Sequence, residues 1–85
     1  MSSHRFAVNV TPKPGILDPQ GRAVEGSLPA LGWTNVGDVR VGKHIRLTVD
    51  ADDRGTARAQ VAEMAERLLS NPVIEDYRIV EDPPA

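Results

Sequence analysis

Cysteine is absent from all 85 residues, so neither a disulfide nor a thiolate metal site supports this fold. Aromatic residues are scarce. Phe6, Trp33 and Tyr77 are the whole set, too few for the stacking platform of an RNA-recognition sheet. No apolar run approaches the roughly 18 residues that a membrane span needs, and no charged–apolar–small leader pattern opens the sequence. Neither sign of charge dominates: ten Lys and Arg stand against twelve Asp and Glu, for a net charge of −2. A generic nucleic-acid binder should be basic, so that class is disfavoured. Together these absences point to the cytoplasm, with neither a membrane nor a nucleic acid as partner.

What remains is a hydrophobic content of 40%, enough for one small domain with a single core. A chain of this length hides only about 60–65% of the surface its unfolded form exposes. Domains of this size usually gain support from disulfides, a metal or a second subunit. His4 and His44 lie forty residues apart with no carboxylate pair in ligand spacing, so a metal is not expected. Association is the remaining support, and a homodimer or tetramer is the expected state.

Along the chain, Phe6, Val8 and Val10 alternate with Arg5, Ala7, Asn9 and Thr11, which predicts a strand over 5–11. The prolines of "PKPG" end it. Asp18-Pro19 reads as a helix start, with Asp18 capping free amides and Pro19 at the first helical position. The helix is weakened by Gly21, Gly26 and Pro29, yet Val24, Leu28 and Leu31 keep helical spacing and Gly32 can cap its end. Pro29 is expected to kink the last turn.

"VGDVRVGKHIRLTVD" reads as a hairpin. A two-residue turn would put its apolar rows on opposite faces, so the expected loop is Gly42 to His44, pairing Val41 with Ile45 and Val39 with Leu47. The strongest helical pattern follows over 50–71, with Ala57, Val61, Met64, Ala65, Leu68 and Leu69 on one face. Asp50, Asp52 or Asp53 caps its start, and Pro72 stops it near Ser70. "VIEDYRIV" then forms a last strand. Residues 1–80 are read as one domain and 81–85 as a frayed polar tail. The order is β-α-β-β-α-β, an α+β domain on a ferredoxin-like plan: one antiparallel sheet with two helices on one face.

Chemistry is nearly absent. "VGKHIR" lacks the spaced first glycine and the Ser or Thr of a phosphate loop. Ser27, Ser70, His4 and His44 form no nucleophile–base motif. Glu75 and Asp76, adjacent in a strand, face opposite ways and make no carboxylate pair. Trp33 reads equally as an interface anchor or as packing beyond the helix cap. No catalytic, cofactor-binding or metal-binding residue is expected.

Three blocks of sequence do carry a resemblance: "ILDPQGRAVEGSL", "VRVGKHIRLTV" and "LLSNPVIEDY", in that order and spacing. Together they resemble the PurS family, small subunits of phosphoribosylformylglycinamidine synthase, from Val8 to about Tyr77. The match runs through Lys13, Gly15, Asp18, Pro19 and Gly21, then Arg40, Gly42 and Lys43, then Asn71, Pro72, Glu75 and Tyr77. Pro29 and Trp33 depart from it. The resemblance implies a purine-biosynthesis ligase complex that uses ATP, Mg²⁺ and glutamine. In it a glutaminase subunit releases ammonia and a large synthetase subunit consumes it. The small subunit joins the two, binds no cofactor itself and has no catalytic residue. It also implies a homo-oligomer, with a simple dimer and a strand-exchanged one both open. Arg40, Lys43 and Glu75, charged residues in or beside strands within the matching blocks, are the expected subunit contacts. The alternative from another class is an ACT-like regulatory module binding an amino acid near "PKPGILDP".

Overall fold

Alternation along an extended chain puts Phe6, Val8 and Val10 on one side, and all three are buried. They belong to β1 (Ser2–Pro12), the central strand of a three-stranded antiparallel sheet. The computed structural model describes residues 2–84. After β1 come α1 (Pro19–Ser27), a 3-10 turn (Pro29–Leu31), β2 (Lys43–Ala51), α2 (Arg54–Met64) with a π-helical turn (Ala65–Leu69), and β3 (Glu75–Glu81). The spatial order is β2-β1-β3. On one edge of β1, Phe6 lies opposite Leu47 and Val8 opposite Ile45; on the other, Val8 lies opposite Ile79 and Val10 opposite Tyr77.

Asp53 caps α2 through a hydrogen bond from the Thr56 amide to Oδ1 (2.7 Å). Ala57, Val61 and Ala65, four residues apart, are fully buried against Phe6, Val8, Val10, Val49 and Ala51. Met64 and Leu68, expected on the same face, are exposed instead. The helix touches a sheet only three strands wide, so a narrow stripe of small residues suffices. The stop at Asn71-Pro72 has a defined geometry. Ser70 donates both its amide (2.9 Å) and its hydroxyl (2.8 Å) to the Ala65 carbonyl, and the Asn71 carbonyl takes the amides of Ile74 and Glu75. The wide π turn followed by this tight one reverses the chain into β3.

The α+β class, the antiparallel sheet and the two helices stand as expected, but the hairpin does not form. Residues 36–42 form no regular element and pair with no strand. Three causes are visible. Asp38 sits at φ +56°, in the left-handed region, which interrupts a strand. The amides of Val39 and Val41, on one edge of the segment, donate to Glu25 Oε1 (3.0 Å) and Asp18 Oδ2 (2.8 Å). Gly42 presses against the Val10 carbonyl, so β2 begins at Lys43, alongside β1.

Residues 13–42 therefore form an arm that leaves the sheet and returns to it. Within it α1 ends at Ser27, the 3-10 turn continues past Pro29, and Gly32 closes it at φ +104° with its amide on the Pro29 carbonyl (3.1 Å). α1 buries only Gly21, and its substantial neighbour among the elements is this 3-10 turn, so α2 alone covers the sheet. Val24 and Leu31, expected to pack, are exposed, as is Trp33. The radius of gyration is 16.3 Å, against about 12 Å for a compact chain of this length. At the other end, residues 81–83 of the stretch read as a frayed tail are tied down. Glu81 pairs with Phe6, the Asp82 amide donates to the Arg5 carbonyl (2.9 Å), and Pro83 is buried.

Gly42→Ala should cost about 1–3 kcal/mol, because its Cβ would collide with the Val10 carbonyl oxygen and lie 3.2 Å from Thr11 Cγ2. Urea unfolding measures it; an unchanged midpoint would show that this approach is not tight.

Candidate subunit-contact site

Arg40, Lys43 and Glu75 come from three separate parts of the sequence, and the fold gathers them at one end of the sheet. β1 stops there, the arm departs and returns, and α2 hands the chain to β3. Lys43 lies opposite Val10 and Glu75 opposite Pro12, on the two edges of β1 and on one face of the sheet. Lys43 donates from Nζ to the Leu69 carbonyl (3.1 Å), at the end of the π turn where the helix dipole favours a cation. Glu75 Oε1 accepts the Asn71 amide (2.7 Å). Arg40 donates from Nη2 to the Lys13 carbonyl (2.9 Å). Each of the three is thus engaged within its own chain, fastening a chain connection.

Lys13 is the hub of this junction. Its amide donates to the Ile74 carbonyl (2.8 Å) and its ammonium pairs with Asp76 Oδ1 (2.9 Å). Behind it, Asp18 caps α1 through Oδ1 and Gly21 N (3.0 Å) while Oδ2 holds Val41, so one buried carboxylate fixes both helix and returning arm. The Val41 and Gly21 amides hold its pKa below the usual aspartate value, burial opposes them, and the Arg40 charge adds to the lowering. Gly21 has to be glycine, since a Cβ would strike the Asp18 carboxylate and the Val39 carbonyl. The capping role of Asp18 was legible from Asp18-Pro19; its second bond, and the part played by Glu25, were not, because neither partner amide is local. Tyr77 adds a last brace: its hydroxyl donates to Glu66 Oε1 (3.1 Å), and burial, then this bond, raises its pKa.

Beside the junction lies an open cavity of about 530 Å³, lined by Thr11, Pro12, Pro14, Gly15, Asp38 and Arg40. Among the described residues there is no cluster of three or more His, Asp or Glu able to hold a metal. Among the described residues no serine is hydrogen-bonded to a histidine: Ser27 and Ser70 donate to carbonyls, Ser3 to Asp50, and His44 meets Asn9. No helix is long and apolar enough to cross a membrane.

The fold is a small α+β module with a braced junction and an outstretched arm. The family model PurS, described as phosphoribosylformylglycinamidine (FGAM) synthase, matches residues 5–82, and the chain belongs to that family. It is 45% identical over 75 residues to the phosphoribosylformylglycinamidine synthase subunit PurS of Synechocystis sp., covering 88% of this chain and 75% of that one. The PurS subunit of Bacillus subtilis is also 45% identical over 75 residues, covering 88% of each. A chain in the structure of PurLQS from Thermotoga maritima superposes with a TM-score of 0.87 at 34% identity, covering 95% of this chain and 99% of that one. The enzyme is a ligase. None of these relatives supports the ACT-type regulator.

Asp18→Asn should release the returning arm. In the wild type the folded carboxyl titrates below the unfolded one, so its contribution is complete above the ordinary aspartate value of about 3.9 and is lost as pH falls through the lower folded value. Hydrogen exchange at Val41 should therefore be faster in the variant near neutral pH, and the two proteins should converge in acid. Equal exchange at neutral pH would remove Asp18 as the clasp.

Proposed function

We propose that this chain is the non-catalytic assembly and ammonia-coupling subunit of an ATP- and glutamine-dependent phosphoribosylformylglycinamidine synthase in purine biosynthesis. It joins a glutaminase subunit to a large synthetase subunit, in the cytoplasm, as a homodimer or tetramer. ATP and Mg²⁺ are used by the complex and are not held by this subunit. The observation that carries the reading is the near full-length likeness to a chain of the PurLQS structure, with 95% of this chain covered. The lack of a serine–histidine pair among the described residues accords with it. So does the arm, which exposes Leu17, Leu31 and Trp33 at more than half of their surface and makes a natural docking element.

Within this reading Arg40, Lys43 and Glu75 form subunit contacts at the junction. Truncating a paired charge that assembly desolvates costs about 2–5 kcal/mol, whereas a rim charge mainly alters the association rate. Their contacts within the chain add a structural contribution, so folding has to be checked alongside. Alanine variants that stay folded should bind the other two subunits more weakly in calorimetry. Folded variants with unchanged affinity would leave these residues a purely internal role.

Coupling has a kinetic signature. Holding two active sites in one complex replaces a dilute encounter with ammonia by intramolecular delivery. With this subunit omitted, glutamine-driven turnover should collapse, while turnover on abundant free ammonia should persist. Both rates are measured at fixed ATP and ribonucleotide substrate. An equally severe loss of the ammonia-driven rate would mean that the chain acts on the synthetase site itself.

A further inference from the structure

α2 covers the face of the sheet that bears Phe6, Val8 and Val10; the opposite face carries one arginine from each strand, Arg5, Arg46 and Arg78. They surround a low centre on β1. Arg46 lies opposite Ala7, and Arg78 and His44 both lie opposite Asn9, whose Oδ1 is 2.6 Å from His44 Nδ1. All three arginines are exposed.

Their charges are unanswered. No carboxylate oxygen lies within 4.0 Å of any of the three among the described residues, whereas Arg54, Arg58 and Arg67 all have acidic partners. Arg46 donates to the Pro84 carbonyl (2.9 Å), a neutral acceptor. Of the acids on this face, Asp76 pairs with Lys13, while Asp50 lies at the end of the sheet opposite Ser3, takes only that hydroxyl (2.7 Å), and offsets one of the three arginines and not the set. A chain of net charge −2 thus presents one cationic face.

We infer that this open sheet face docks a carboxylate-rich surface on one of the other two enzyme subunits. The inference rests on the assembly reading above and adds to it a surface and a chemistry. Guanidinium forks match carboxylates in two-bond geometry and are weakly hydrated, so they suit an interface that must be desolvated. A single-stranded nucleic acid fits less well. Phe6 and Tyr77 face the other way and Trp33 lies on the arm, so no base finds an aromatic ring to stack on here.

The test is stopped-flow association of the full-length protein with each purified partner subunit across a salt series. Wild type should associate fast at low salt and slow steeply as salt rises. The triple variant Arg5→Gln/Arg46→Gln/Arg78→Gln should associate about tenfold or more slowly with one partner and lose most of that salt dependence. Arg67→Gln, on the far side of α2, should change neither, and circular dichroism should be native in both variants. An unchanged rate in a folded triple variant overturns the inference. So does a sedimentation shift to a smaller oligomer with partner rates intact, which would give the face to a second copy of this chain. Arginine-dependent binding of a single-stranded RNA probe with partner rates intact also overturns it. Wild type that captures neither subunit overturns the assembly reading together with this one.

Discussion

Both edges of β1 carry ladder hydrogen bonds, so its register against β2 and β3 positions nearly everything else. Phe6, Val8 and Val10 can be fully buried because the neighbouring strands flank them and the small stripe of α2 closes over the top. A single central strand also makes the domain thin, 14 Å along its shortest axis, with one helix on one face. A fold built this way exposes its other face, two sheet edges and its arm. Those are the surfaces an interaction subunit has to offer.

The arm is held by polar geometry where it has little packing to hold it. Asp18 and Glu25 take the amides that a neighbouring strand would otherwise take, which satisfies the segment 39–41 without making it part of the sheet. Two carboxylates thereby replace a β partner. This fixes Arg40 beside Lys13 and starts β2 where Lys43 reaches the end of the helix. The junction residues are thus placed by contacts distant in sequence, and any partner docking there meets a surface already braced from within.

Charge is sorted across the molecule. On the helix side Arg54 and Arg58 meet Glu81 and Asp82, and Arg67 meets Glu63, so those three arginines are answered within the chain. Such exposed pairs add little stability singly. They leave the net field of the molecule to the groups that have no partner. A composition close to neutral gave no sign of this, because a sum over the chain carries no information about which face each charge occupies.

Local signals settled what local physics controls. Alternation marked β1, Asp18-Pro19 marked one helix start and the group Asp50, Asp52 and Asp53 the other, Gly32 marked a helix end and Asn71-Pro72 a stop, since each works through backbone groups a few residues away. The three sequence blocks also carried the family. The sequence did not disclose that Val39 and Val41 would forgo the hairpin, because their amides go to carboxylates 14 and 23 residues away. Nor did it separate Ala57, Val61 and Ala65 from Met64 and Leu68 on one helix face, since how much of a face is buried depends on the width of the sheet beneath it. Arg40, Lys43 and Glu75 were legible as charged residues in matching blocks; only the register of β1 with both neighbours brought them to one end. Alternation put Arg5 on the wet side of β1, and only the tertiary pairing set Arg46 and Arg78 on the same surface, because strand order and register are set by which apolar rows can share a core.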